Sequence, residues 1–189
     1  VEQQRAAFRS LAPDWNGDTS MSNSAALFLQ PNPGDSAVRP GIALYGGAPS
    51  PGVPASGLGL RAAMRLQAAL IAVREVAAGA AVGYGSRWVA PRRSRIGVVA
   101  CGYADGYPRS APDGTPAWVA GQRVGLAGRV SMDMLTIDVT GVDAAQPGSA
   151  VELWGEHVPV DEVAGLAGTV GYEMLCALTA RVPVQEQAD

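Results

Sequence analysis

Beyond residue 59 the chain consists of short apolar segments, and glycine or proline separates nearly every neighbouring pair of them. Strand-like patterns occur at 64–76, 95–101, 118–119, 134–139 and 150–153. Apolar and polar residues alternate in Leu135-Thr136-Ile137-Asp138-Val139, as in a strand that buries one face. Short strands that end at turn residues favour a small antiparallel barrel or sandwich. This part of the chain is therefore predicted to be mainly β.

The first part of the chain has a helical pattern instead. The sequence predicts a helix over Glu2–Leu11, which Pro13 would end, and then a short buried strand over 19–22. A second helix is predicted to begin at Asn23 and Ser24, because their side chains can accept hydrogen bonds from the free N–H groups of a first helical turn.

A proline- and glycine-rich stretch separates these two patterns. Residues 47–59 have the sequence GAPSPGVPASGLG, with no periodic apolar face, which predicts two domains covering 1–59 and 60–189. Near the end of the chain, a helix is predicted over Val160–Ala167, since its first turn is acidic. The apolar run at 172–183 is predicted to form a final strand.

Composition excludes several classes of function. A net charge of −3 argues against a nucleic-acid surface, and no apolar run reaches the roughly 18 residues that a membrane span needs. The chain does not begin with a basic segment followed by an apolar one, so we expect a cytoplasmic protein. Cys101 and Cys176 are expected to be buried free thiols, and His157 a solvated loop residue. No metal site is expected.

Several polar motifs lie on glycine-rich turns. They are GYADGYPR at 102–109, GRVSMD at 128–133 and GYG at 83–85, and each of the five tyrosines borders such a turn. We interpret this as a site lined with phenols. The glycines on both sides of Tyr84 would leave its phenol exposed as a candidate acid or base, although packing within a turn is the alternative.

Two further features concern cofactor chemistry. Helix starts at Ser24 and Gly41 would present free N–H groups to a phosphate, although ordinary capping produces the same local sequences. The 14 cationic residues are all arginine. A lysine for Schiff-base chemistry must therefore come from elsewhere.

Taken in order, these motifs resemble the C-terminal half of bacterial alanine racemases. The matching segments are NSA at 23–25, RPGIALYG at 39–46, the three motifs above and GYE at 171–173. The resemblance covers nearly the whole chain. It implies pyridoxal 5′-phosphate as cofactor, the last segment of an α/β (TIM-type) barrel at 1–59 and a C-terminal β domain at 60–189. It also implies a homodimer in which this β domain completes the site of the partner subunit.

The resemblance assigns roles to individual residues. Tyr84 matches the catalytic tyrosine that exchanges the α-proton on one face of the substrate, while the cofactor lysine serves the other face. Arg39 matches the arginine that keeps the pyridine nitrogen unprotonated and so favours clean racemisation. The matches to phosphate contacts are Ser24, Gly41, Ile42 and Tyr172.

The remaining matches concern the substrate. Met132 matches the residue whose backbone meets the substrate carboxylate. Tyr103 and Tyr172 match the tyrosines that narrow the entrance, and Arg109 and Arg129 match cations along the same corridor. Asp133 is given a supporting role, and Ser131 stands where many relatives carry cysteine.

The resemblance predicts a fragment of an alanine racemase that acts on a small amino acid and supplies D-alanine for the cell wall. The family's lysine-bearing N-terminal barrel part has no match here, so the chain alone is expected to be inactive. Two alternatives stay open: a non-catalytic binding module derived from this fold, and a racemase of broader amino-acid specificity.

Overall fold

A computed structural model describes residues 2–30 and 34–186. The chain separates into two compact units, Val1–Ala63 and Met64–Asp189. Within the described residues, no helix has both the length and the apolar character to cross a membrane.

The described residues of the first unit form two helices and two turns of 3₁₀ helix. The predicted helix is confirmed as α1 (Glu2–Leu11), and α2 (Ser24–Leu29) follows the predicted cap residue. The 3₁₀ turns cover Ile42–Tyr45 and Ala55–Leu58.

The strand predicted at 19–22 is wrong, although Ser22 is buried. This segment meets residues 37–39 through two backbone hydrogen bonds, from the Ala37 amide to the Thr19 carbonyl and from the Arg39 amide to the Ser22 carbonyl. Among the described residues these segments share only an isolated bridge between Asn23 and Arg39 and form no ladder.

The second unit is built on a closed barrel of six antiparallel strands, which confirms the predicted mainly β fold. In chain order, the eight strands in the described part of this unit are β1 (Leu66–Val76), β2 (Ala81–Val82), β3 (Trp88–Val89), β4 (Ser94–Val99), β5 (Pro116–Val119), β6 (Gln122–Leu126), β7 (Leu135–Asp138) and β8 (Ala150–Trp154). The barrel order is β1-β4-β7-β6-β5-β8, with β8 paired to β1, while β2 and β3 form a separate two-stranded ribbon. Closure leaves the barrel no free edge strand.

Alternating side chains of the strands fill the barrel. The largest fully buried residues include Leu70, Val99, Leu126, Ile137, Leu153 and Trp154. Tyr107 belongs to this core: it is 1% exposed, and its ring stacks on Trp154 with 6.0 Å between centroids. The interpretation that every tyrosine lines a polar site is therefore wrong for Tyr107, whose ring contributes to the buried apolar surface of the core.

The C-terminal segment differs from its prediction. Helix α3 (Val160–Ala167) is confirmed, but the apolar run after it forms α4 (Gly171–Cys176) followed by turns, and no strand. Gly168, at φ +77°, ends α3, and the Val170 carbonyl then accepts bonds from the Glu173 and Met174 amides, which start a new helix.

The two cysteines lie in different environments. Cys101 is buried, as predicted, but Cys176 is exposed. Gly171 and Met174 are the buried residues of α4. A residue two positions beyond Met174 points to the opposite side of the helix, which explains the exposure of Cys176.

His157 lies in the loop after β8, as predicted, but it is not simply solvated. Its side chain is 40% exposed, and its Nδ1 lies 3.1 Å from an oxygen of the buried Glu152. Its ring stacks on Trp118 with 4.5 Å between centroids. Among the described residues, no group of three or more His, Cys, Asp or Glu side chains is placed to hold a metal ion.

Candidate functional site

In the first unit, the start of α2 lies against the 3₁₀ turn at Ile42–Tyr45. Asn23 caps α2, since its side chain accepts a hydrogen bond of 3.0 Å from the Ala26 amide. The Ser24 hydroxyl, which is buried, accepts a bond of 3.3 Å from the Ala43 amide. The structure therefore brings Ser24 together with the segment of Gly41 and Ile42, as a shared phosphate site requires.

The backbone at Gly41 is open to an anion. The first hydrogen bond of the 3₁₀ turn runs from the Leu44 amide to the Gly41 carbonyl, so the Gly41 and Ile42 amides precede it and have no partner within the turn. A Cβ added at Gly41 would meet no heavy atom within 4 Å. The Ile42 side chain is 2% exposed and anchors the turn. Free amides beside open space suit a phosphate group.

Arg39 is held beside the same helix start. Its backbone forms the bridge with Asn23, and its Nη1 donates to the Ser20 carbonyl and, at 2.9 Å, to the Ser20 hydroxyl. These bonds orient the Arg39 guanidinium.

In the second unit, Tyr84 projects from the turn between β2 and β3. We call residues 83–87 the Tyr84 turn. Gly83, Gly85 and Ser86 all have positive φ angles, of +77°, +72° and +51°. The Tyr84 side chain is 72% exposed, which confirms the exposure predicted from its flanking glycines. The Arg87 Nε lies 3.2 Å from an Asp113 carboxylate oxygen.

Tyr103 projects from a turn that we call the Tyr103 turn, residues 102–107. The Gly102 amide donates to the Asp105 carboxylate at 2.8 Å. The Tyr103 amide donates to the Ser131 carbonyl at 3.0 Å, and the Ala104 amide to the Met132 carbonyl at 2.9 Å. Tyr103 and Met132, predicted to contact the substrate, are thus on directly bonded segments.

Two arginines accompany these turns. The Arg109 guanidinium lies 6.0 Å from the centroid of the Tyr103 ring, within the range of a cation–π contact. Arg129 adjoins the Tyr84 turn, because a Cβ at Gly83 would lie 3.2 Å from the Arg129 amide nitrogen. The Arg129 Nε is buried and has no hydrogen-bond partner among the described residues.

Tyr172 lies in the first turn of α4 and is 46% exposed. The segment after α4 returns to the Tyr103 turn, where the Thr179 hydroxyl donates to the Ala104 carbonyl at 2.9 Å. Arg181 then bridges two carboxylates, with Asp105 at 3.4 Å and Asp133 at 2.7 Å.

Sequence patterns assign no role to Asp113 or Arg181. Asp113 stands in a Pro-Asp-Gly turn signal, which indicates a turn but not what its carboxylate contacts. Its partners are separated from it by 26 and 15 residues along the chain, and they meet it only after the barrel closes.

Comparisons with known proteins agree with these motifs. The family model described as "Alanine racemase, C-terminal domain" matches residues 63–186. The chain is 57% identical over 186 residues to an alanine racemase of Thiobacillus denitrificans, covering 98% of this chain and 51% of that protein. An alanine racemase of Stutzerimonas stutzeri is 57% identical over 164 residues, covering 87% of this chain and 46% of that protein.

Solved structures give the same result. The biosynthetic alanine racemase of Pseudomonas aeruginosa is 53% identical with a TM-score of 0.91, over 96% of this chain and 51% of that chain. An alanine racemase of Bartonella henselae with covalently bound pyridoxal phosphate is 34% identical with a TM-score of 0.82, over 95% of this chain and 50% of that chain. This chain spans about half the length of the relatives it matches.

Proposed function

Since the chain belongs to the alanine racemase family, we propose that it forms the C-terminal part of an enzyme that interconverts L- and D-alanine. The observation that carries this proposal is the bonded arrangement of the second unit. The segments of Tyr103 and Met132 are joined by backbone hydrogen bonds, and the Tyr84 turn packs against the backbone at Arg129. The phenol that we propose to transfer the proton, the segments proposed to contact the substrate and a cation thus occur in one unit.

The first unit has the groups that pyridoxal phosphate needs. The Ser24 hydroxyl and the Gly41 and Ile42 amides would hold its phosphate, and Tyr172 of the second unit is assigned to the same group by resemblance. The Arg39 guanidinium, held by Ser20, would face the pyridine nitrogen. When bound, the cofactor withdraws electrons from the substrate Cα and so makes the α-proton removable.

The side chains of the second unit would move the proton and orient the substrate. Tyr84 would take or return the α-proton on one face through its exposed phenol oxygen. Arg109 and Arg129 would attract the carboxylate of the incoming amino acid. Tyr103 and Tyr172 would narrow the entrance and admit a small substrate.

The second base is proposed to be a lysine on an N-terminal barrel part, since this chain contains only arginine among its 14 cations. The chain by itself is therefore proposed to be inactive. The whole enzyme would act as a homodimer, and its D-alanine would supply the cell wall.

Fusion of a lysine-bearing barrel part to this chain tests the proposal. The N-terminal half of the P. aeruginosa biosynthetic enzyme, joined ahead of Val1, is the donor, because its structure aligns with this chain at a TM-score of 0.91. The fused protein is expected to convert L-alanine to D-alanine, and the 189-residue chain alone is not. Comparing alanine, serine and lysine as substrates would reveal a broader specificity.

Two tyrosine variants make the test specific. Tyr84→Phe should abolish α-proton exchange on one face of alanine and spare it on the other. Tyr45→Phe is the matched control, because Tyr45 is also an exposed tyrosine, at 52%, but lies in the first unit. Equal loss on both faces in Tyr84→Phe would contradict the two-base role. A fused protein that binds the cofactor but never racemises alanine would favour a non-catalytic module.

A further inference from the structure

The Asp113 carboxylate lies between two segments of the proposed site. Its Oδ2 is 3.2 Å from the Arg87 Nε, and its Oδ1 accepts a hydrogen bond of 2.8 Å from the Gly128 amide. Arg87 ends the Tyr84 turn, and Gly128 begins the segment that contains Arg129 and Met132. One side chain therefore connects these two segments, with a separate oxygen for each.

The backbone that carries Asp113 is fixed to the barrel. The Gly114 amide donates to the Leu126 carbonyl at the end of β6 at 2.8 Å, and the Thr115 amide donates to the Pro112 carbonyl at 3.1 Å. Thr115 is fully buried. The carboxylate thus extends from a turn that is bonded on both sides, and its position follows that of the barrel wall.

The Tyr84 turn, in contrast, depends on support from outside. Three of its residues have positive φ, including Ser86, and a non-glycine residue in that region costs about 1–2 kcal/mol. The Ser86 amide bonds to the Gly83 carbonyl at a long 3.4 Å. The flanking strands β2 and β3 have only two residues each. Such a ribbon is marginally stable unless other groups hold it.

The segment that begins at Gly128 also packs directly against the backbone that leads into the Tyr84 turn. A Cβ at Gly128 would lie 2.8 Å from the Val82 carbonyl oxygen, so the chain at 128 passes directly over the strand that leads into the Tyr84 turn. The Arg87 and Asp113 side chains are 34% and 29% exposed. Partial burial shields this ion pair from solvent more than a fully exposed pair.

We propose that Asp113 is a positioning residue for Tyr84, because its carboxylate binds Arg87 and the Gly128 amide and so fixes the Tyr84 turn against the segment of Arg129 and Met132. The inference rests on the proposed function, since the position of Tyr84 affects catalysis only if its phenol transfers the proton. Misplacement of a reacting group by about 1 Å can lower a rate by about 100-fold.

Asp113→Asn tests the proposal in the fused racemase. The amide oxygen of asparagine can still accept the Gly128 bond, but its NH₂ group faces Arg87 and cannot replace the ion pair. We expect kcat to fall about tenfold with KM changed less than about twofold, as for a loss confined to the transition state. Glu162→Gln is the matched control, because it breaks an exposed ion pair between Glu162 of α3 and Arg123 of β6.

Isotope effects distinguish positioning from a general loss of activity. With α-deuterated alanine, the kinetic isotope effect should rise in the direction in which Tyr84 removes the deuteron and fall in the opposite direction. A general structural defect would lower kcat and leave both isotope effects at their original values. Equal isotope effects in Asp113→Asn and the unmodified enzyme would overturn the proposal.

Amide hydrogen exchange in the 189-residue chain provides a readout that needs no catalysis. Exchange in residues 82–88 should accelerate about fivefold in Asp113→Asn and in Arg87→Gln, and the double variant should be no faster, because both changes remove one interaction. Unchanged exchange rates in these variants would contradict the proposal that Asp113 holds the Tyr84 turn. If the unmodified fused protein lacks racemase activity, the proposed function fails and the positioning role with it, while the exchange rates still decide whether Asp113 holds the turn.

Discussion

The Tyr84 and Tyr103 turns both present an exposed tyrosine next to a glycine, but they are held by different kinds of interaction. Backbone hydrogen bonds to Ser131 and Met132 hold the Tyr103 turn, and the Asp105 carboxylate caps its first amide. The Tyr84 turn contains one strained residue, Ser86, and is linked to its surroundings through the Arg87–Asp113 ion pair. Main-chain bonds resist substitution, whereas one side chain can be changed by one mutation.

This difference matches the proposed roles. A tyrosine that narrows an entrance needs a constant position, which backbone bonds provide. A tyrosine that exchanges a proton needs an accurate position relative to the substrate, and in the Tyr84 turn that position depends on one side-chain ion pair. Substitutions in the Tyr103 turn should therefore mainly lower the free energy of unfolding. Substitutions in the Tyr84 turn should mainly increase local motion.

Alanine at Gly102 should cause the largest effect. A Cβ there would lie 2.3 Å from the Met132 carbonyl oxygen and 2.4 Å from that of Ser131, and both are backbone atoms. We expect Gly102→Ala to lower the free energy of unfolding by about 3 kcal/mol or more, since the paired segments must separate. Gly85→Ala meets no atom within 4 Å, and its φ of +72° predicts a loss of about 1–2 kcal/mol.

Urea unfolding of both variants measures this difference. Equal losses at the two glycines would mean that the Tyr103 turn can move away from Ser131 and Met132 without penalty. That result would refute the view that backbone bonds make it the more rigid of the two turns.

Alkaline pH should destabilise the second unit, because Cys101 and Tyr107 are buried in its core. Burial, together with the Asp105 charge, raises the pKa of Cys101 to about 12, and burial also raises the pKa of Tyr107. Because the unfolded thiol ionises near pH 8.5, this stabilisation is fully present below that pH and is lost as pH rises toward 12. The free energy of unfolding should fall by about 2 kcal/mol between pH 8 and 10.5.

Urea unfolding at the two pH values tests this, with Cys101→Ala as the informative variant. Its stability should decline less with pH, because the buried thiol is gone. Cys176→Ala removes the exposed thiol and should keep the original decline. An identical decline in Cys101→Ala and the unmodified chain would show that the Cys101 thiol does not contribute.

Thiol labelling should report which interaction holds the Tyr103 turn. Iodoacetamide should modify the exposed Cys176 at once and Cys101 only when the structure opens. Arg181 bridges Asp105 and Asp133, so Arg181→Gln should accelerate Cys101 labelling by about threefold. Asp113→Asn should leave that rate unchanged. Acceleration by Asp113→Asn would mean that the two turns open as one unit.

Local patterns predicted much of the fold, because several elements are specified by adjacent residues. The prediction of a helix over Val160–Ala167, based on its acidic first turn, has the bounds that α3 shows. Strand β6 was missed because Gly125 and the charged Arg123 interrupt its pattern. The prediction of a strand over 172–183 was wrong, because the apolar residues of this segment fit a helix as well as a strand.

The sequence predicted the motifs of the candidate site but not the contacts that their side chains make. Glycines border both Tyr84 and Tyr107, and both were interpreted as lining a polar site, yet Tyr107 is buried against Trp154. Whether a tyrosine at such a turn points into the core or toward solvent depends on strands that are distant in sequence. The same holds for Asp113, whose two partners become neighbours only through barrel closure.

The smallest expected effect is at Ser86, and it separates strain from tethering in the Tyr84 turn. Ser86→Gly relieves a φ of +51° but adds backbone freedom to the unfolded chain, so the free energy of unfolding should change by less than about 0.5 kcal/mol. Ala120→Gly is the matched control, because Ala120 has φ +48° in the hairpin between β5 and β6. Amide exchange in residues 82–88 should stay slow in Ser86→Gly, because the Arg87–Asp113 pair is intact. Faster amide exchange in these residues would mean that Ser86, and not the Arg87–Asp113 ion pair, is the main restraint on the Tyr84 turn.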